Sequence, residues 1–422
     1  MKHTFTLARQ ALAKICAGQH AQASLNEILE KTQVLKRGAI TELVYGVLRY
    51  DILLQACAKE VLPAPAKLPA GMRFLIQLAL YALLFQSDSP AHAIINETVN
   101  LIKKEFGQKL GNVGNGALRN VLRNRETVLA SVSEDSASRF SLPGGLYQKW
   151  LDAYGKQAAE NLAGRSLQRP YMCFRVNPLQ AESDLLSYLL NLPGASAVGS
   201  IGVAFAPGHV PDSIRGLPVT EYIQAGKLSR QAAGSIKILE ELELFSTWRD
   251  AEVWDACAGV GGKSCALLEG GVRVTVASDI NLQRLRILAA DSARLDLTTP
   301  ALLAASAARP PLCRWSGNIL ADVPCSGTGV LARRPDIKLR WSGTRQAELV
   351  RLQRSILLSL AALLKPGAEL CYITCAMNRE ENEDQIEWLL KTRPEFELIR
   401  EWRTPFDHPW LEGMYGARLK KA

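Results

Sequence analysis

The chain has 422 residues, 48% of them hydrophobic and 22% charged, with a formal net charge of +9. That length exceeds one ordinary core and predicts two or three domains, and the composition is that of a soluble globular protein. Nine cysteines without a Cys-x-x-Cys pair or a tight Cys/His cluster argue against a disulfide framework or a structural zinc site, so no metal is expected.

The first residues, MKHTFTLARQ, lack the apolar core of a secretory signal. The longest apolar stretch, Phe74 to Phe85, is interrupted by Gln77 and is too short to span a bilayer. A cytoplasmic protein without a membrane partner is expected, working as a monomer. Residues 1–125 read as all-helical. Phe5, Ala8, Leu12 and Ile15 follow helical spacing, as do Ile40, Leu43, Val44 and Val47. Pro63, Pro65 and Pro69 break the pattern before an apolar helix around Leu75–Leu84. A further helix is expected after Pro90, and a basic one around Leu118–Leu122. This stretch holds sixteen Lys and Arg against eight Asp and Glu, so it carries +8 of the total charge. Such a surface suits a polyanion such as RNA, or is simply solvated; charge alone does not separate the two.

Residues 126–165 read as a helical connector broken at Leu142-Pro143-Gly144-Gly145, and 166–235 as a small α+β domain with a strand over Met172–Val176. In 236–422 apolar strand candidates at 252–257, 272–278, 301–305, 318–323 and 368–374 alternate with helix candidates at 262–269, 281–295, 344–364 and 379–392. That alternation predicts a parallel, Rossmann-like α/β sheet with helices on both faces and ligands at the carboxyl ends of the strands.

The first of these strands runs into Asp255-Ala256-Cys257-Ala258-Gly259-Val260-Gly261-Gly262-Lys263. Glycines at a strand-to-helix turn let the backbone approach a ligand closely. A phosphate-binding loop would need Gly where Cys257 stands, and the dinucleotide Gly-x-Gly-x-x-Gly spacing is absent. The second strand ends at Asp279, about twenty residues after the turn, where an acid accepts hydrogen bonds from a ribose. Arg284 is placed to close over that ribose. Asp279 also suits an N-cap for the helix beginning near Asn281. The fourth strand ends in Asp322-Val323-Pro324-Cys325-Ser326-Gly327-Thr328-Gly329-Val330, and the fifth in Tyr372-Ile373-Thr374-Cys375. Either cysteine alone reads as a buried thiol. At neighbouring strand ends, with Asp322 beside them, the two read as a reactive pair.

These residues resemble the RsmB (Sun/Fmu) family of ribosomal RNA cytosine-C5 methyltransferases. Asp255–Lys263 looks like the family's Asp-Ala-Cys-Ala-Ala-Pro-Gly-Gly-Lys cofactor loop. Asp322–Val330 is similar to Asp-Ala-Pro-Cys-Ser-Gly-Thr-Gly-Val and continues into Arg334-Pro335-Asp336-Ile337-Lys338. Thr374-Cys375 followed by Glu380-Glu381-Asn382 resembles the Thr-Cys-Ser…Glu-Glu-Asn signature, and Gly413–Leu419 its closing strand. Upstream, Glu42–Arg49 and Asn115–Arg123 resemble a NusB-like RNA-binding domain, and Phe174-Arg175-Val176-Asn177-Pro178 the small domain before the catalytic one.

The resemblance implies S-adenosylmethionine as cofactor, held by Cys257, Ala258, Gly259, Val260, Gly261, Gly262, Lys263, Asp279, Arg284, Ser306 and Asp322. It implies 16S ribosomal RNA as partner and substrate, and a catalytic set of Cys375, Cys325, Asp322 and Lys263. In this family the Thr-Cys cysteine, here Cys375, adds to carbon 6 of the cytosine, and the Pro-Cys cysteine, here Cys325, assists release of the methylated base. The chemistry fits, because carbon 5 is a poor nucleophile until a thiolate adds at carbon 6. An acid near the ring nitrogen takes up charge in the adduct, with Asp322 in that place. The sequence departs from the pattern at Val260, which replaces the loop proline, and at Ser306, where an Asp facing the adenine amino group is expected. In Ser229–Ser235 the Asp of the usual Gln-Asp-x-Ala-Ser is missing, read as a helix-start detail. Two other readings stay open: a non-catalytic RNA-binding or ribosome-assembly factor, and a cytosine methyltransferase acting on another nucleic acid.

Overall fold

A computed structural model describes residues 2–30, 37–62, 64–86 and 90–422. Pro63, one of the three expected helix-breaking prolines, lies outside the described residues. The chain forms two compact units, Met1–Gln168 with Leu331–Ser342, and Arg169–Val330 with Gly343–Ala422.

The first unit is helical among its described residues. Helices Lys2–Cys16, Ala21–Glu30, Arg37–Arg49, Asp51–Val61, Ala70–Phe85, Ala91–Phe106 and Gln108–Arg123 are followed by Arg125–Val132, Ser136–Arg139 and Gly144–Arg165. Ala8, Leu12, Ile15, Ile40, Val44 and Val47, spaced to fall on one helical face, are all buried around the apolar helix Ala70–Phe85. The segment Leu331–Ser342, distant in sequence, packs into this bundle. Asp336 is 2% exposed, pairs with Arg340 at 2.5 Å and lies 3.5 Å from the amide of Ala21. Lys338 donates to the carbonyl of Arg49 at 2.9 Å, and burial pushes its ammonium down to about 7. The Arg334–Lys338 run therefore belongs to the helical unit.

The second unit has two larger sheets. The smaller has the order Ala195–Val198, Gly202–Phe205, Met172–Val176, Leu228–Arg230, with antiparallel neighbours. Alternate residues divide its faces: Phe174 and Val176 pack with Leu185, Leu189 and Phe205, whereas Cys173 faces Ile236.

The larger sheet carries the site. Its strands are β1 (Glu252–Asp255), β2 (Arg273–Asp279), β3 (Ala301–Ala304), β4 (Asn318–Asp322), β5 (Glu369–Thr374), β6 (Phe396–Arg403) and β7 (Tyr415–Lys421), in the order β6-β7-β5-β4-β1-β2-β3. Helices α1 (Gly262–Glu269), α2 (Leu282–Arg294), α3 (Gly343–Leu363) and α4 (Glu383–Thr392) connect them. The central strands are apolar throughout because both faces are covered. Ile319, Ala321, Leu370 and Tyr372 pack with Ile356, Leu357 and Leu360 of α3; Leu320, Cys371 and Ile373 pack with Ile238, Leu242 and Leu267.

The sheet corrects one expectation: it is mixed, not wholly parallel. β7 runs antiparallel between β5 and β6. β6 was not foreseen, because an exposed edge strand reading Phe-Glu-Leu-Ile-Arg-Glu-Trp-Arg has neither a continuous apolar run nor a clean alternation.

Candidate active site

The turn after β1 is shaped by backbone geometry. Gly259 and Gly261 lie at φ of 56° and 86°, a region costly for residues with a Cβ, and a Cβ on Gly261 would meet Leu288 of α2 at 2.4 Å. Asp279, 7% exposed at the end of β2, accepts from the amides of Gly259 at 3.0 Å and Asn281 at 2.8 Å, with Arg284 at 3.7 Å. It is not the cap of α2. That role falls to Asn281, whose side chain accepts from the amides of Gln283 and Arg284. Val260 and Ile280 are 47% and 77% exposed, and a Cβ on Gly259 would find nothing within 4 Å. A buried acid at a strand end beside an open backbone turn suits a ligand that carries hydroxyl groups. Ser306 follows the end of β3, which pairs with Asp279, and its hydroxyl accepts from the amide of Ala308 at 3.3 Å.

The cysteines meet at the adjoining strand ends. β4 and β5 pair in parallel with Asp322 opposite Ile373, and the two sulfurs, Cys325 Sγ and Cys375 Sγ, are 3.2 Å apart. The loop after β4 lies against Cys375 so closely that position 329 must be glycine: a Cβ there would stand 2.0 Å from the Gly413 carbonyl and 2.8 Å from that of Cys375. The amide of Cys375 donates to Cys325 Sγ at 3.3 Å, and that of Gly329 to the Cys375 carbonyl at 2.9 Å.

Lys263, in the first turn of α1, reaches this rim. Its ammonium is 2.5 Å from Asp322 Oδ2. Burial opposes its charge, but the Asp322 carboxylate outweighs that and holds Lys263 above its ordinary range. A hydrogen bond from the Cys325 thiol, against the opposing effect of burial and with help from the Lys263 ammonium, holds Cys375 below the ordinary thiol value. The same hydrogen bond, then burial, pushes Cys325 well up. The two shifts run in opposite directions, so of the pair Cys375 ionises the more readily. Burial first, then the carboxylates of Asp255, Asp322 and Asp279, pushes the Cys257 thiol up, so it stays protonated. Asp255 lies beneath the turn, wholly buried, hydrogen-bonded to Ser264 and pushed by burial up to about 7. Among the described residues no group of His, Cys, Asp and Glu is arranged to hold a metal ion.

Arg175 and Gln231 contribute to this site beyond what their motifs indicated. Arg175 is 2% exposed, its guanidinium forked onto Glu269 at 2.6 and 2.8 Å and bonded to Gln231 and to the Gly262 carbonyl at 3.0 Å. Gln231 donates to the same carbonyl at 3.1 Å, so it braces the glycine turn. The signal was present: a lone Arg within the apolar strand Met172–Val176 has to find a buried partner. Arg175→Met should cost about 3–5 kcal/mol by stranding Glu269, whereas the double change with Glu269→Met should recover most of that loss. Urea denaturation of both variants measures it; equal losses would mean that the pair contributes nothing specific.

Residues 244–409 match the profile of a family described as 16S rRNA methyltransferase RsmB/F, and residues 6–123 match that of the NusB family. The chain is 30% identical over 415 residues to the probable ribosomal RNA small subunit methyltransferase B of Bacillus subtilis, covering 94% of this chain and 91% of that protein. It is 34% identical over 395 residues to ribosomal RNA small subunit methyltransferase B of Pseudomonas syringae pv. tomato, covering 91% and 85%. In fold it is similar to a solved methyltransferase homolog protein from Pyrococcus horikoshii, with a TM-score of 0.57, 23% identity, and coverage of 68% of this chain and 97% of that one.

Proposed function

The chain belongs to the 16S rRNA methyltransferase RsmB/F family, and from that premise we propose that it moves a methyl group from S-adenosylmethionine to carbon 5 of a cytosine in small-subunit ribosomal RNA. The observation that carries this reading is the placement of two sulfurs 3.2 Å apart beside the Lys263–Asp322 ion pair, at the strand ends that adjoin the glycine turn.

Asp279 and Arg284 would hold the ribose of the cofactor. Cys257 to Lys263 would wrap its amino-acid portion, and Ser306 would lie toward the base. When bound, S-adenosylmethionine supplies an electrophilic methyl group. The Cys375 thiolate adds to carbon 6, and the electron pair of the ring double bond becomes available at carbon 5. Negative charge developing toward the ring nitrogen is met by the proton-bearing Lys263–Asp322 pair, preformed and partly shielded from water. Once carbon 5 carries the methyl group, its proton passes to Cys325 as the Cys325 hydrogen passes to the departing Cys375. The carbon–sulfur bond breaks and the ring double bond returns. The chain regains its starting state by losing one proton to solvent.

The cytosine must leave its stack to reach this crevice, at a cost of a few kcal/mol that is least in a single-stranded loop. The charge of +8 on residues 1–125 supports RNA docking through phosphate contacts. Incubation of the protein with 16S ribosomal RNA and labelled S-adenosylmethionine, followed by nucleoside mapping, tests the proposal. The expected result is 5-methylcytosine at a defined position, formed more slowly as salt rises. Absence of transfer, or a methyl group on another atom or base, overturns it.

A further inference from the structure

The two cysteines sit on irregular backbone past their strands, so strand pairing alone does not fix the gap between the sulfurs. The residues on either side of each cysteine are held by two consecutive buried side chains, Glu381 and Asn382, both 0% exposed. On the Cys325 side, Glu381 Oε2 accepts the Ser326 amide at 2.8 Å, and Oε1 accepts the Ser326 hydroxyl. Gln353 of α3, also 0% exposed, donates to Glu381 Oε2 at 3.1 Å and to the Pro324 carbonyl at 3.0 Å. Cys325 is therefore gripped through its neighbours in both directions. On the Cys375 side, the Thr374 hydroxyl donates to Asn382 Oδ1 at 2.6 Å, and Asn382 Nδ2 donates to the Ala376 carbonyl at 3.1 Å. Cys375 is bracketed in the same way.

The chemistry of this grip is specific. Asn378 Nδ2 donates to Glu381 Oε1 at 3.0 Å, so the two carboxylate oxygens receive four donors, two apiece. A carboxylate is acceptor-only and satisfies all four; a glutamine of the same shape would turn its NH₂ toward two of them. Asn382 uses its oxygen as acceptor and its nitrogen as donor, which a carboxylate could not do. Burial pushes the Glu381 carboxyl up, and the donors from Ser326, Gln353 and Asn378 oppose it. Such an arrangement is costly unless every member is satisfied.

We propose that Glu381 and Asn382 are positioning residues that set the separation of the two sulfurs, Glu381 by holding Cys325 and Asn382 by holding Cys375. The inference rests on the reading that these sulfurs act as attacking and releasing groups. Neither positioning residue touches the RNA base; both act through the backbone beside a cysteine. Loss of the grip on Cys325 removes the hydrogen donor to Cys375 and the relay that frees the product, while leaving the attacking thiolate in place.

The test compares full-length Glu381→Gln, Ser326→Ala and Cys325→Ala with the parent protein, using 16S ribosomal RNA and S-adenosylmethionine. Ser326→Ala removes a single donor from the loop and serves if Glu381→Gln does not fold. Three quantities are read: the fraction of protein in a denaturant-resistant RNA adduct, kcat against KM for RNA, and the pH midpoint of Cys375 alkylation by iodoacetamide without cofactor. For Glu381→Gln the adduct fraction should rise about tenfold and kcat fall roughly 10–100-fold with little change in KM, the scale set by a misplacement near 1 Å. The alkylation midpoint should move up. Ser326→Ala should change each in the same direction by less. A purely structural role would lower the melting temperature and leave adduct fraction and alkylation midpoint at parental values, which would overturn the inference. If Cys325→Ala accumulates adduct and neither other variant does, the positioning role fails while the two-cysteine reading stands. If Cys325→Ala also forms none, the two-cysteine reading itself fails.

Discussion

Replacement of Cys375 by alanine is expected to lower methyl transfer to ribosomal RNA by roughly 10³-fold or more, the scale on which loss of a covalent nucleophile acts. Cys375 is set apart from the buried thiols by its electrostatics. Its sulfur receives a hydrogen bond from Cys325 and the field of the Lys263 ammonium, which together hold the thiol below its ordinary value despite burial. At Cys57, Cys265 and Cys371 burial outweighs the hydrogen bonds and cations nearby and pushes each thiol up. Sign follows directly: the thiolate is the reactive form, so in the parent protein alkylation of Cys375 should set in at lower pH than that of an ordinary thiol. Lys263→Met should move the onset to higher pH. The alanine variant should keep its affinity for S-adenosylhomocysteine and lose only about 1 kcal/mol of stability, since a small side chain is removed. Rates from labelled cofactor, with calorimetric binding as control, measure both. Transfer at a rate within tenfold of the parent would mean that another group attacks the base.

Cys325→Ala is expected to give the opposite phenotype in a gel: attack and methylation proceed once, and the RNA remains attached. Without a sulfur 3.2 Å from Cys375, the carbon-5 proton loses its acceptor and the departing thiolate its hydrogen donor. Turnover should fall to about one methyl group per protein molecule or less, with most of the protein in a slow-migrating, denaturant-resistant band. Attack itself should slow moderately, because Cys375 loses the hydrogen bond that favours its thiolate. The double variant Cys325→Ala with Cys375→Ala should show no band. A Cys325→Ala protein that turns over freely without adduct would assign release to another group.

Strand ends were the most legible feature of this chain. Asp279, Asp322 and Cys375 each follow or close an apolar run, and in an open α/β sheet that position alone places a side chain at the ligand edge. The helical face of Ala8, Leu12 and Ile15 was equally plain, since burial on one side imposes its period directly. Other residues were opaque. Gln353 stands on α3 beside Ile356, Leu357 and Leu360, and only the fold reveals that it reaches the Pro324 carbonyl and Glu381. Asp336 and Lys338 adjoin the Cys325 loop in sequence, yet they are buried among helices that precede them by some three hundred residues. Glu381 and Asn382 were part of a recognised signature without an evident task.

Residue order by itself determined the helical and α/β halves of the chain, the glycine turn after the first strand of the larger sheet, and the pairing of two cysteines at neighbouring strands. These follow from local periodicity and from the rule that parallel strands expose their carboxyl ends together. Tertiary structure alone decided which thiol ionises the more readily, how far apart the sulfurs lie, that Asn281 caps the helix after Asp279, and that an unforeseen antiparallel strand closes the sheet. Each depends on distances of a few ångströms between segments remote in sequence, and the electrostatics and hydrogen bonding that decide them act through space, not along the chain.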